Sequence, residues 1–210
     1  GGCIVSRNIR VFGLGESNME TILHDMMAES KNPTIAPYAK TSECFARVTA
    51  KADTPEECEK LLAPVVEKIC GLLGEDVYGV DVDSLEQVVG DGLRARGLTL
   101  AVAESCTGGL LSKRITDVPG CSVYYLGGVC SYANEVKTRL LGVRKETLDT
   151  VGAVSPEVAE QMAAGVAQAL GADVGVGITG VAGPGGGTDD KPVGLVYISV
   201  WHKGRNYTRK

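Results

Sequence analysis

Apolar residues recur along the chain in two kinds of pattern, and the pattern changes near residue 79. Before that point, short alternating stretches predict strands, and apolar residues at helical spacing predict helices between them. The predicted strands cover residues 8–14, 44–50 and 77–80, with one more near 35–38, and the predicted helices cover residues 17–29 and 54–73. This order predicts a small α+β domain over residues 1–79.

Beyond residue 83 the alternation of strand and helix becomes longer and richer in Gly and Ala. Strands are predicted from residue 98 and over 123–132, 174–179 and 195–201, and helices over 84–96, 107–117, 134–141 and from residue 155. In the last of these helices, four apolar residues spaced by four fall on one face. Strands that alternate with helices are typical of a three-layer α/β/α domain, which we place at residues 84–210.

The segment 98–110 carries the clearest sign of chemistry. An apolar strand ends at Glu104, a hydroxyl follows at Ser105, and two glycines lead into a predicted helix. In open α/β sheets, ligands bind at the carboxyl ends of strands, where the next helix presents the positive end of its dipole. Ser105 is therefore a candidate nucleophile or ligand-binding residue. The alternative is that Ser105 and Thr107 only cap the helix.

A catalytic Ser105 needs a base, and histidine is scarce. The two histidines, His24 and His202, lie in the small domain and at the far end of the last predicted strand. A lysine of lowered pKa serves as the base in Ser-Lys pairs. Lys137 is the best candidate because it lies on an apolar helical stripe, and Tyr132, just before that helix, is a candidate proton relay. Lys137 as a snorkelling side chain and Tyr132 as a packed ring are the structural alternatives.

A glycine-rich loop over residues 180–188 joins the last two predicted strands. Glycine lets backbone N–H groups approach phosphate oxygens closely, although such loops also serve as plain connections. The loop lacks the GxxxxGK[ST] pattern and is therefore not a P-loop.

Composition limits the classes of function. With 210 residues and a net charge of −5, the chain shows no broad basic surface for nucleic acid or for anionic membranes. Seven single cysteines without a CxxC pair indicate reduced thiols, and hence a cytoplasmic protein. No apolar run is long enough to span a bilayer, and no leader pattern is present. Because the chain starts with Gly1 and not Met, we expect it to be a fragment.

Several segments together resemble the C-terminal domain of the CinA (competence and damage inducible) family, which also occurs alone as nicotinamide mononucleotide amidase. The resemblance covers residues 84–210 and is carried by AESCTGG at 103–109, VPG at 118–120, SYANEVK at 131–137, LGV at 141–143, GAVS at 152–155 and TGVAGPGGG at 179–187. Residues 1–79, with RVFGLGES at 10–17, are similar to the KH-like region that precedes this domain in longer members.

The resemblance implies deamidation of nicotinamide mononucleotide to nicotinic acid mononucleotide and ammonia, a step of pyridine nucleotide salvage. Ser105 would attack the amide carbon, and Lys137 and Tyr132 would handle its proton. N–H groups near Cys106, Thr107 or the glycine loop would stabilise the oxyanion. The candidate phosphate-binding residues lie at the helix start and in the loop: Thr107, Gly108, Gly109, Gly183, Gly185, Gly186 and Gly187. This chemistry needs no metal or organic cofactor, and the family suggests a homodimer.

Other interpretations remain open at this stage. Cys106 is a second candidate nucleophile, because a thiol at a helix start can have a lowered pKa. A non-catalytic nucleotide-binding domain fits the same motifs. A KH-type nucleic-acid module is disfavoured, since the GLLG at 71–74 contains no basic residue.

The chain departs from the family pattern at both ends. Relatives continue through a Gly-Asp-Arg segment and a final helix that bring an arginine into the site, whereas this chain ends at Lys210, so we expect a truncated domain. Longer relatives begin with a molybdopterin-binding-like domain, which is not recognisable in this sequence.

Overall fold

The computed structural model describes residues 2–40 and 43–210 and divides into two compact units, Gly1–Val88 and Val89–Lys210. Each unit has its own sheet, with four strands in the first and five in the second among the described residues. The mixed α/β fold predicted from the sequence is confirmed.

The first unit is an antiparallel sheet with two helices against one face. Its strands are β1 (Cys3–Val11), β2 (Thr34–Lys40), β3 (Glu43–Ala52) and β4 (Val77–Val80), in the order β2-β3-β1-β4, and its helices are α1 (Glu16–Glu29) and α2 (Pro55–Leu73). Helix α2 begins with a reciprocal capping box formed by Thr54 and Glu57. Apolar side chains of both layers form one buried core.

Strand β1 begins at Cys3, five residues before the predicted start at residue 8, and ends at Val11, three residues before the predicted end at residue 14. Polar residues in its middle obscure the alternation of apolar side chains that the sequence pattern relies on. One of them, Arg7, forms ion pairs with Glu59 of α2 and with Asp81. A charged residue can interrupt an apolar pattern in this way when its partner lies beside it in the fold.

The second unit is a mixed sheet between two layers of helices. Its strands are β5 (Leu100–Glu104), β6 (Tyr125–Cys130), β7 (Val174–Gly180), β8 (Val196–His202) and β9 (Arg205–Arg209), in the order β6-β5-β7-β8-β9. Strand β5 is parallel to β6 and β7, while β8 and β9 are antiparallel to their neighbours. The helices are α3 (Leu85–Ala95), α4 (Leu110–Thr116), α5 (Asn134–Leu141), α6 (Lys145–Val151) and α7 (Pro156–Leu170).

Side chains of β5 alternate between the two helical layers. Val102 packs in one apolar cluster with Ile115 of α4, whereas Ala101 and Ala103 pack in the opposite cluster with Met162 of α7. All five residues of β5 are buried, as expected for a central strand covered on both faces. The predicted three-layer arrangement is therefore confirmed.

Two elements were not predicted, and one helix start was wrong. Strand β9 contains a single large apolar residue and forms through a two-residue hairpin at Lys203 and Gly204, both with positive φ. Helix α6 is short and mostly polar. Helix α4 begins at Leu110 and not at residue 107, because Gly108 (φ +59°) and Gly109 (φ +100°) form a turn in front of it.

No helix within the described ranges is long and apolar enough to cross a membrane.

Strand β7 packs against α7 through glycine. A Cβ atom added at Gly177 would lie 2.2 Å from the Ala159 carbonyl oxygen and 2.6 Å from the Ala163 nitrogen, both backbone atoms of α7. The strand and the helix are thus closer than any side chain at this position would permit.

We predict that Gly177→Ala destabilises the second unit by about 2–3 kcal/mol, because the helix backbone must move to admit the methyl group. Unfolding in urea, followed by fluorescence of the single Trp201 in β8, measures this change. Gly92→Ala is the matched control: it lies inside α3, its Cβ would meet only the end of the Arg96 side chain at 3.5 Å, and we expect a gain of up to about 1 kcal/mol. Equal effects of the two substitutions would contradict the prediction.

Candidate functional site

Ser105 follows the last residue of β5 and lies where two parallel strands end. Its backbone N–H donates a hydrogen bond to the Ile178 carbonyl of β7 at 3.0 Å, which continues the pairing of the two strands by one residue. Only 8% of Ser105 is exposed. The hydroxyl therefore lies at the carboxyl edge of the sheet, as predicted from the strand that precedes it.

Lys137 reaches Ser105 from the first turns of α5. Its Nζ lies 3.0 Å from the Ser105 Oγ, 2.6 Å from the Ser131 carbonyl oxygen and 3.1 Å from the Tyr132 carbonyl oxygen. Lys137 is 1% exposed, which is rare for a lysine. The structure thus brings together the two residues that the sequence selected as nucleophile and base.

Burial lowers the pKa of Lys137 below the ordinary lysine value, because the charged ammonium loses its hydration. The thiols of Cys106 and Cys130, when ionised, oppose this shift. No carboxylate forms an ion pair with Lys137 among the described residues. The neutral amine is therefore more populated here than it would be at the surface.

Tyr132 enters the site through its backbone and not through its ring. Its carbonyl oxygen accepts a hydrogen bond from Lys137, whereas its side chain is 71% exposed. Within the described part of the chain, its hydroxyl makes no hydrogen bond to Ser105 or Lys137. The structure therefore supplies a positioning contact from Tyr132, and a relay through its hydroxyl stays a prediction.

Glu104, which the sequence analysis did not select, is a buried carboxylate beside Ser105. It accepts hydrogen bonds from the Leu111 N–H at 3.0 Å, the Ser112 N–H at 2.8 Å and the Ser112 hydroxyl at 2.7 Å. Burial by itself raises the pKa of this carboxyl group, but the neighbouring Thr107 hydroxyl and these hydrogen bonds outweigh it, and the pKa is lowered. Glu104 therefore stays ionised and occupies the positive end of α4. An acidic residue closing an apolar strand just before a helix was the signal in the sequence.

The Glu104 backbone also joins the two halves of the site. Its carbonyl oxygen accepts a hydrogen bond from the Ser131 N–H at 2.8 Å, and the Ser131 carbonyl in turn accepts one from Lys137. The end of β5 is thereby tied to the segment that leads into α5. This connection fixes Lys137 relative to Ser105.

Cys106, the second candidate nucleophile, lies against the end of β7. A Cβ atom at Gly180 would lie 2.6 Å from the Leu195 carbonyl oxygen and 3.0 Å from the Cys106 Sγ, so a side chain at this position would crowd both. Burial raises the pKa of Cys106, and the N–H groups of Cys106 and Thr107 together with the Lys137 ammonium only partly compensate. Since the thiolate is the nucleophilic form, this environment favours Ser105 over Cys106.

The candidate phosphate-binding residues Thr107, Gly108 and Gly109 lie in the turn between Ser105 and α4. The Gly108 N–H bonds to the Ser105 carbonyl at 3.1 Å, and the Leu110 N–H bonds to the Thr107 carbonyl at 3.0 Å. The next two N–H groups, those of Leu111 and Ser112, donate hydrogen bonds to the Glu104 carboxylate. The start of α4 therefore already binds a negatively charged side chain.

The connection between β7 and β8, which contains the glycine-rich loop of residues 180–188, is closed at its base. The Val181 N–H bonds to the Leu195 carbonyl, and the Gly194 N–H bonds to the Val181 carbonyl, both at 2.9 Å. This closure fixes where the loop leaves the sheet, next to the Ser105 turn.

The four glycines that were predicted to bind phosphate divide into two kinds. A Cβ at Gly183 or Gly187 would lie 2.5 Å or 2.8 Å from atoms of Val193, so these two are needed for packing. Gly185 and Gly186 have no neighbour within 4 Å of the same position. Of the four, this pair leaves its backbone open to a ligand.

Lys191 anchors the far side of the loop. Its ammonium donates to the Val151 carbonyl at the end of α6, where a cation also complements the helix dipole. A turn between Thr188 and Lys191, with the Thr188 N–H bonded to the Lys191 carbonyl at 2.9 Å, sets the position of this lysine. Among the residues that the structure describes, no group of three metal-ligating side chains is arranged to hold a metal ion.

Two family models match the chain. The one described as the CinA C-terminal domain matches residues 82–210, and the one described as the damage-inducible protein CinA KH domain matches residues 6–79. The site residues described above all lie within the first match.

Relatives with similar sequences carry the same family name. A CinA-like protein from Desulfovibrio desulfuricans is 52% identical, with 100% of this chain and 53% of the relative covered. One from Dictyoglomus thermophilum is also 52% identical, with 97% and 49% covered. The chain thus spans about half the length of the curated relatives it matches.

Solved structures are similar to about 60% of the chain. The competence/damage inducible protein CihA from Agrobacterium tumefaciens is 40% identical, with a TM-score of 0.58 over 60% of this chain and 76% of that one. A CinA superfamily protein from Escherichia coli is 37% identical, with the same TM-score over 60% and 73%.

We predict that Lys191→Met speeds hydrogen exchange at the loop amides of residues 185–194 by about 2–5-fold, because one charged hydrogen bond at a helix end is lost. Exchange monitored by mass spectrometry measures this rate. Lys145→Met is the matched control, since Lys145 is exposed and lies at the opposite end of the same helix. Unchanged exchange in the Lys191 variant, or equal acceleration in both, would show that the lysine does not hold the loop.

Proposed function

The chain belongs to the CinA family, and on that premise we propose that its second unit is an amidohydrolase. Its substrate is nicotinamide mononucleotide, which it converts to nicotinic acid mononucleotide and ammonia. The observation that carries the proposal is the 3.0 Å contact between the Lys137 Nζ and the Ser105 Oγ in a buried setting. A serine and an unpaired buried lysine are the two components of a Ser-Lys nucleophile.

The geometry around Lys137 supports its role as a base. A neutral amine has two N–H groups and one lone pair, and the Ser131 and Tyr132 carbonyls accept two hydrogen bonds. The third direction faces the Ser105 hydroxyl, so the lone pair of the neutral amine accepts the serine proton. The ammonium form would instead donate to Ser105 and hold the hydroxyl oxygen in an unreactive state.

The reaction then follows as acyl transfer. Ser105 attacks the carboxamide carbon as Lys137 takes its proton, and the resulting ammonium returns that proton to the departing ammonia. Water, activated by the same amine, hydrolyses the acyl-serine and regenerates the hydroxyl. The N–H groups of Cys106 and Thr107 are the proposed donors to the oxyanion, because the Ser105 N–H is already bonded to Ile178.

The substrate phosphate is assigned to the glycine-rich loop. Glu104 places a negative charge at the start of α4 and uses two of its N–H groups, which makes that helix end a poor phosphate site. Gly185 and Gly186 offer backbone N–H groups with open space beside them. The turn at residues 107–109 then faces the reacting amide and not the phosphate.

We predict that Ser105→Ala and Lys137→Met each lower kcat for ammonia release from nicotinamide mononucleotide by at least about 10³-fold. A coupled ammonia assay and chromatography of the deamidated nucleotide measure the rate. Lys145→Met is the matched lysine control and keeps the wild-type rate. Trp201 fluorescence and circular dichroism show whether each variant is folded.

Three results would contradict the proposal. Loss of activity in Cys106→Ser with activity retained in Ser105→Ala would make the thiol the nucleophile. Nucleotide binding without ammonia release by the unmutated chain would favour a non-catalytic nucleotide-binding domain. The absence of both binding and turnover would exclude this substrate for residues 1–210.

The pH dependence of the unmutated chain is a separate prediction. Since the base is the neutral amine, kcat/KM rises with pH and levels off above the pKa of Lys137, which lies below the ordinary value of 10.5. Lys137→Arg removes the ascending limb, because a guanidinium does not lose its proton in this range. A flat profile in the unmutated chain between pH 6 and the plateau would exclude Lys137 as the base.

A further inference from the structure

Two cysteines of the first unit are in direct contact although they are 55 positions apart. The Sγ atoms of Cys3 and Cys58 are separated by 3.5 Å. Cys3 begins β1, and Cys58 lies in the first turn of α2, just after the capping box that fixes the start of that helix. The Cys58 thiol also lies within hydrogen-bond distance of the Cys3 carbonyl, at 3.7 Å.

This pair is close enough to form a bond with little rearrangement. A disulfide needs an Sγ–Sγ distance of about 2.05 Å, so the two side chains must together move by about 1.5 Å. Within the described residues, the other five cysteines make no sulfur–sulfur contact of this kind. The contact between Cys3 and Cys58 is therefore specific to this pair.

The two sulfur atoms differ in their access to solvent. Cys58 is fully buried in the core of the first unit, whereas Cys3 is partly exposed at the end of its strand. A reagent from solution can meet Cys3 but not Cys58. Once Cys3 carries a sulfur adduct, Cys58 is already beside it.

We propose that Cys3 and Cys58 form a dithiol modification site for low-molecular-weight disulfides. The Cys3 thiolate attacks one sulfur of the disulfide, forming a mixed disulfide and releasing one thiolate. The Cys58 thiolate then attacks the Cys3 sulfur, forming the intramolecular bond and releasing the second thiolate. Two protein thiols lose two electrons and two protons, and the disulfide reagent is reduced to two thiols.

Oxidised glutathione tests the proposal directly. The chain is incubated with it at pH 8, quenched with acid, and analysed by intact mass and peptide mapping. We expect a Cys3–Cys58 linked peptide in the unmutated chain, reversed by dithiothreitol. Cys58→Ala should accumulate a stable glutathione adduct on Cys3, because no second thiol resolves it. Cys3→Ala should leave Cys58 unmodified for as long as the unit stays folded.

Cys44→Ala is the matched control, because Cys44 is another core cysteine of the same unit and lies outside the pair. This variant should form the bridge as the unmutated chain does. A glutathione adduct that persists on Cys3 while Cys58 is present would overturn the proposal. So would modification of Cys58 in Cys3→Ala as fast as that of Cys3 in Cys58→Ala, or a bridge that maps to another pair of cysteines.

Discussion

A buried primary amine determines how the candidate site is built. Lys137 has almost no access to water, and an isolated ammonium in such surroundings would cost several kcal/mol. Two backbone carbonyls from the segment before α5 satisfy its N–H groups without supplying a counter-charge. The remaining direction is occupied by the Ser105 hydroxyl, which is held in place by the sheet. The arrangement favours the uncharged amine over the ammonium, and the uncharged amine is the form that the proposed mechanism requires.

The neighbouring carboxylate is stabilised in the opposite way. Glu104 is as deeply buried as Lys137, yet it keeps its charge because the first turn of α4 surrounds it with donors. The pKa values of these two groups near Ser105 are thus both lowered, with opposite effects on charge: loss of hydration favours the uncharged form of Lys137, and hydrogen bonds favour the ionised form of Glu104. The hydrogen bond from Ser131 to the Glu104 carbonyl links their backbones.

Most of the architecture could be predicted from the sequence, because long apolar patterns with clear caps determine it. Helix α5 and strand β4 occur with the predicted bounds. Ser105 and Lys137 could be selected because a strand end and an apolar helical stripe are both visible in the sequence. Strand β9 was not predicted, because the only feature of the sequence that specifies it is the hairpin turn before it. Gly183 is needed for packing against Val193, whereas Gly185 has open space beside it. This difference could not be predicted, because it depends on where Val193 lies in the folded loop.

The hydrogen bond from the Ser105 N–H to Ile178 makes the site a product of distant parts of the chain. Seventy-odd residues separate these two positions, and Lys137 lies between them in the sequence. Closing so long a segment carries an entropic cost that local helix formation does not repay. While β7 is still inside the ribosomal exit tunnel, a nascent chain therefore already presents both Ser105 and Lys137. It lacks the strand whose Ile178 carbonyl holds the Ser105 backbone in place. The Ser105 hydroxyl and the Lys137 amine are brought into register only after synthesis has passed that strand.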